Sequence, residues 1–153
     1  MGLLFNAIIG ASSLVLFLYW FRYGCLLILA ADTPHDYCEE VARANRLCFP
    51  EVRSMLRRDR VADLDRLQRC LEQDFAILAD LLERAPVIRF DSWFEDTMLR
   101  GHYLAMRVCF HLTRGSLAEF ALDALEEMWL VVAHLANQVG ERSLKIDGRL
   151  APE

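Results

Sequence analysis

The sequence predicts an all-α protein: an N-terminal single transmembrane helix followed by a small cytoplasmic helical bundle of about four helices. Three observations point that way. An apolar run from Leu3 to Phe21 carries no charge. Further on, apolar residues recur at spacings of three and four, the period of helices with one buried face. Gly, Pro and Ser/Thr fall where helices start and stop, and no β-hairpin signal, repeat or low-complexity tract interrupts them. The organisation read from this is an anchor with a juxtamembrane helix over 1–31, a helical bundle over 32–141 and a C-terminal tail over 142–153.

The anchor comes first. Leu3 to Phe21 supplies 19 residues, close to the roughly 20 that cross a hydrocarbon core. A cleaved export signal needs a basic leader, a shorter apolar core and small residues before the cleavage site. Here nothing basic precedes the run, and cleavage within "LAAD" would put Leu29 at the third position before the cut. The myristoylation pattern fails at Asn6. Tyr19, Trp20, Arg22 and Tyr23 then form a membrane-interface group, because amphipathic rings and a snorkelling cation favour the boundary with water. "CLLILAA" (Cys25 to Ala31) is expected to continue the helix beyond the bilayer core. The rival reading is a buried core helix, which a domain this small can hardly cover.

Arg22, Arg43, Arg46, Arg53, Arg57, Arg58 and Arg60 follow the span, and no Arg or Lys precedes it. The positive-inside rule therefore places the body in the cytoplasm and the chain in the inner (plasma) membrane as a single-pass protein. The five cysteines, Cys25, Cys38, Cys48, Cys70 and Cys109, show no C-x-x-C spacing. They read as small, reduced residues, which agrees with a reducing compartment. A net charge of −5 argues against nucleic acid as a partner.

Four helical segments are expected behind the anchor. Thr33-Pro34-His35-Asp36 has a capping Thr, a Pro at the first helical position and an acid in the first turn. Phe49-Pro50 breaks or kinks the helix so begun. A second helix restarts at Pro50-Glu51 and reaches Arg84, with Leu64, Leu67, Leu71, Phe75, Leu78 and Leu82 as its later stripe. Arg57-Arg58-Asp59-Arg60 interrupts its apolar face, so the segment 51–84 reads as one helix or two. "APVIRFD" (Ala85 to Asp91) is a loop, and Ser92 with Glu95 has capping-box spacing for a third helix to about Thr113. Gly115 is expected to stop that helix in the left-handed conformation. Ser116 with Glu119 opens a fourth lasting to about Gly140, beyond which the tail frays.

Chemistry finds little purchase. His102 and His111 lie on opposite faces of one helix and cannot share an ion. His35 and Cys38 offer two ligands without a second pair, and His134, in "MWLVVAHLA", reads as a hydrogen-bonded core histidine. Gly115-Ser116 is a helix stop and cap, not a nucleophile elbow. No P-loop or dinucleotide fingerprint occurs. Glu119, Asp123, Glu126 and Glu127 form a solvated or partner-facing acidic stripe. No catalytic residue, metal site or cofactor is assigned.

Interaction is better represented. From Arg43 to Arg69 eight Arg oppose four acids, a basic segment near the membrane that suits contact with anionic lipid. Asn6, Gly10 and Ser13 share a face of the anchor that favours another membrane protein or self-association. Thr97, Gly101, Ala105 and Cys109 recur every four residues and let a helix backbone approach, with packing inside the bundle the favoured reading. The expected function is a membrane-anchored helical interaction module: a scaffold, adaptor or accessory subunit of a membrane protein complex. The alternative is a tethered bundle binding an apolar ligand, lipid or cofactor through "MWLVVAHLA" and the Trp93/Phe94 region.

Overall fold

The computed structural model describes residues 2–30, 36–56, 63–84 and 90–150; of residues 3, 4, 90–93 and 145–150 only the backbone is described. Among them the chain is all-helical, without strands: α1 Gly2–Ala30, α2 Cys38–Asn45, α3 Phe49–Leu56, α4 Leu64–Arg84, α5 Phe90–Thr113 and α6 Ala118–Leu150. It divides into two compact units, Met1–Ala31 and Asp32–Glu153.

In the first unit, α1 runs 29 residues without interruption. At about 1.5 Å per residue it exceeds a hydrocarbon core of about 30 Å. Its stretch Phe5–Ala30 is long and apolar enough to cross a membrane, and its most apolar part is almost wholly exposed. Tyr19, Trp20, Arg22 and Tyr23 are exposed, with Trp20 and Tyr23 edge to face at 5.9 Å. The helix continues through "CLLILA" because nothing in Gly24–Ala30 breaks it.

In the second unit, α6 is the central element and packs on α2, α3, α4 and α5. Its residues Ala121, Ala124, Leu125, Met128, Val131, Val132, Leu135 and Ala136 are all buried to within 1%. Alanines and valines among them let several helices approach the same backbone. Leu67, Leu71, Leu78 and Leu82 of α4 fill one side, and Leu99, Tyr103 and Phe110 of α5 another. Phe75 of α4 stacks on Tyr103 at 3.9 Å between ring centroids. Polar ties lock these layers: Arg142 donates to the Leu82 carbonyl and to Asp96, linking α6 to α4 and α5.

The segment 51–84 is two helices. Asp63 is not helical, and its carboxylate accepts the Arg66 N–H at 2.9 Å to cap α4. Arg57, Arg58, Asp59 and Arg60 lie outside the described residues, as do Thr33, Pro34, His35 and the stretch 85–89 of the expected loop.

Several boundaries are corrected. The first body helix begins at Cys38, not near Pro34, with Tyr37 in the N-cap position and the Asp36 carboxylate accepting the Cys38 N–H. It ends at Arg46, which adopts the left-handed conformation at φ 56° while Leu47 N–H bonds back to the Ala42 carbonyl. Phe90 and Asp91 belong to α5, so Ser92 lies within the helix rather than capping it. No described glycine has positive φ, so Gly115 does not act as a left-handed stop; a turn in which Ser116 and Leu117 donate to the Thr113 carbonyl ends α5. Leu117, not Ser116, provides the first carbonyl of α6, accepting the Ala121 N–H. Finally, α6 does not stop at Gly140 but continues through Leu150, so the tail from 142 onward is helical as far as that residue.

Candidate functional site

Cys48 and Cys70, 22 residues apart in sequence, form a disulfide. This corrects the reading of all five cysteines as reduced. The pairing is tertiary: the residue preceding α3 meets the second turn of α4, a proximity that no local C-x-x-C spacing announces. Cys38 and Cys109 remain thiols.

Asp74, one turn beyond Cys70 on α4, completes the cluster. It is 2% exposed, and its Oδ2 accepts the backbone N–H groups of Cys48 at 2.8 Å and Phe49 at 2.6 Å. It thus caps α3 from a neighbouring helix, satisfying donors that the first turn leaves open. Its other oxygen, Oδ1, lies 3.6 Å from Cys48 Sγ. Burial pushes the Asp74 carboxyl above its ordinary range, against the Phe49 and Cys48 donors that pull it down. A cavity of about 120 Å³ opens beside the sulfurs, lined by Cys48, Glu51, Val52, Met55, Arg66, Leu67 and Cys70.

The two sulfurs and an Asp74 oxygen all lie within 4.8 Å of one another. That spacing alone suits a cation, but the sulfurs are bonded to each other and the carboxylate is committed to α3. What meets here is a bond between two half-buried cysteines, a buried acid at one sulfur and an opening at both.

The α3 region is otherwise firmly held. Trp129 Nε1 of α6 donates to the Phe49 carbonyl at 2.9 Å, and the Arg53 guanidinium stands 4.8 Å from the centre of the Trp129 ring.

The sequence-derived residues fall in three places. On α1, Asn6, Gly10 and Ser13 are exposed, and Gly10 has open space beside it. On α5, Thr97 and Ala105 are exposed and Gly101 and Cys109 half-buried. The fully buried residues of α5 are Leu99, His102, Tyr103 and Phe110, with His102 meeting Glu127 of α6 and Tyr103 meeting Phe75 of α4. The outward face also carries Leu104, Val108 and Leu112, at 51%, 57% and 78% exposure.

The histidines and acids divide similarly. His111 is exposed and His102 buried, as opposite helix faces require. His102 Nε2 lies 3.0 Å from Glu127 Oε2, so Glu127 leaves the acidic stripe and turns inward while Glu119, Asp123 and Glu126 stay exposed. His134 Nε2 lies 3.2 Å from the Gln138 amide. His35 and the side chain of Trp93 lie outside the described residues.

Three comparisons with known proteins add no relative: no family model, no curated protein and no solved structure matches the chain.

Proposed function

We propose that the protein is a membrane-anchored helical interaction module: a scaffold, adaptor or accessory subunit of a membrane protein complex. The observation that carries the reading is the outward row on α5. Leu104, Val108 and Leu112 recur every four residues with Ala105 beside them, and all four are exposed among the described residues. Large and small residues alternating along one helix face accommodate the ridge of a second helix. The partner proposed is a helix of another membrane protein, held close by the anchor, with Asn6, Gly10 and Ser13 pairing inside the bilayer.

The orientation proposed is a single pass through the inner (plasma) membrane with the body cytoplasmic, supported by the Arg residues that follow the span. Basic residues of α2 and α3 would then face anionic headgroups. The Cys48–Cys70 bond weighs the other way, since lasting disulfides belong to oxidising compartments. A bond that opens and closes by thiol exchange reconciles the two. The apolar-ligand alternative gains no support at "MWLVVAHLA", where Met128, Val131, Val132, Leu135 and Ala136 are packed into the core.

The test is purification of the full chain from native membranes, with and without Asn6→Leu and Gly10→Leu together. The expected outcome is unchanged insertion and loss of co-purifying membrane protein. Retention of every partner by the double variant makes the anchor a mere tether. A C-terminus labelled from the periplasmic side reverses the orientation.

A further inference from the structure

We propose that Cys48, Cys70 and Asp74 form a thiol–disulfide exchange centre that takes a dithiol as substrate. The cavity at the disulfide and the acid beside Cys48 support it. The bond joins two half-buried cysteines that both line an open cavity, so an incoming sulfur has a path to it. Cys48 is the sulfur nearer the acid, since Asp74 Oδ1 stands 3.6 Å from its Sγ. Asp74 is buried with one oxygen tied to α3 and the other directed at Cys48 Sγ.

These features assign the roles. A thiolate of the dithiol attacks Cys70 Sγ, forming a mixed disulfide. The Cys48–Cys70 bond breaks, its electron pair goes to Cys48 Sγ, and the Asp74 carboxyl supplies the proton from Oδ1. Cys48 is the leaving group because Asp74 Oδ1 stands beside its sulfur and can protonate it as the bond breaks. The second thiol of the dithiol loses its proton to water and attacks its own sulfur in the mixed disulfide. Cys70 leaves as thiolate and is protonated by water; Asp74 regains its proton from water. The dithiol is thereby oxidised to a disulfide, and Cys48 and Cys70 are reduced to thiols. Run backwards, a disulfide partner re-forms the bond. Burial raises the Asp74 carboxyl and so favours its protonated form, against the Phe49 and Cys48 N–H donors. None of this depends on which side of the membrane the body occupies.

The experiment uses the full chain in nanodiscs with dithiothreitol as the dithiol probe. Opening of the Cys48–Cys70 bond is followed by maleimide labelling and peptide mass. Wild type is expected to open while folded, and to close again when the oxidised form of the probe is in excess. Asp74→Asn keeps an oxygen for the α3 N–H groups but has no proton to give, and should open roughly 100-fold more slowly, the scale of general acid catalysis. Asp74→Glu should recover at least about a tenth of the wild-type rate. Equal rates for wild type and Asp74→Asn, with both folded, overturn the role of Asp74 and with it the centre. Should Asp74→Asn fail to fold, the wild-type measurement decides alone. A bond that stays closed in excess dithiothreitol until the protein is melted is a structural staple, and the proposal fails.

Discussion

Tyr37 lies directly across Gly140, at the approach of the N-terminus of α2 to the last third of α6. A Cβ on Gly140 would come within 2.7 Å of Tyr37 Cγ and still closer to its Cβ. The ring cannot retreat freely, because Tyr37 N–H donates to the Asn137 side chain at 2.8 Å. Gly140 is there for close approach, not to end a helix. Gly140→Ala should therefore lower the melting temperature. Overpacking costs about 1–3 kcal/mol, and the gain in helix propensity, about 1 kcal/mol at most, returns only part of it. A melt at or above wild type would show that α2 can shift without loss.

Cys38 should be an inert thiol. Burial, then the Asp36 carboxylate, push it up from the ordinary thiol range to about 12, and its Sγ faces the Ala133 carbonyl at 3.3 Å. Since the thiolate is the nucleophile, the reactive fraction at neutral pH falls about a thousandfold. Alkylation with iodoacetamide, read by peptide mass, should leave Cys38 unmodified in the folded chain. Rapid modification would place the thiol in an open environment.

Much of this architecture is legible in the sequence, and the misses have physical causes. The α4 stripe is readable because Leu67, Leu71, Leu78 and Leu82 bury one face at helical spacing. Gly140 misleads because glycine serves both helix ends and close approach, and only the tertiary position of Tyr37 decides between them. Gly115 misleads differently: a turn closed through Thr113 ends α5 without positive φ. The Cys48–Cys70–Asp74 cluster is invisible locally, since its members meet only when α3 lies against α4. One signal was available: Cys48 before Phe49-Pro50, with Cys70 and Asp74 four residues apart on one face of a periodic helix.

Arg46 holds the left-handed C-cap of α2, where glycine is the usual residue. A non-glycine residue there costs on the order of 1 kcal/mol. The Arg46 side chain is exposed, so little packing is lost on its removal. Arg46→Gly should leave stability unchanged or raise it by up to about 1 kcal/mol, because relief of strain is offset by the freer unfolded chain. Chemical denaturation of the two proteins compares them directly. A loss above about 1 kcal/mol would assign the guanidinium a contact that matters.

His134 gives stability a pH dependence of definite sign. Burial lowers its pKa from the ordinary imidazole value of 6.5, against Glu95, Asp96 and Glu141, which raise it. The folded state thus binds its proton less readily than the unfolded chain. Stability from this group is fully present above 6.5 and is lost as the pH falls from there through the lowered folded value. His134→Gln removes the titration and keeps an amide to face Gln138. Its melting temperature should vary less than that of wild type between pH 7 and 5. Identical pH profiles would mean that the imidazole titrates alike in the folded and unfolded chain.

The outward row of α5 makes the sharpest prediction about partners. Val108 and Leu112 are 57% and 78% exposed, so acidic substitutions there cost the isolated fold little, within about 0.5 kcal/mol for surface sites. At a helix–helix interface the same charges would be buried without partners, a cost of several kcal/mol. Val108→Asp with Leu112→Asp should therefore leave the melting temperature and membrane insertion intact while abolishing a crosslink from Leu104 to its neighbour. A photo-crosslinking residue placed at Leu104 in native membranes reads this directly. If the crosslink survives both charges, α5 does not bury this row against another helix. If the melting temperature collapses instead, Val108 and Leu112 are covered by the protein itself.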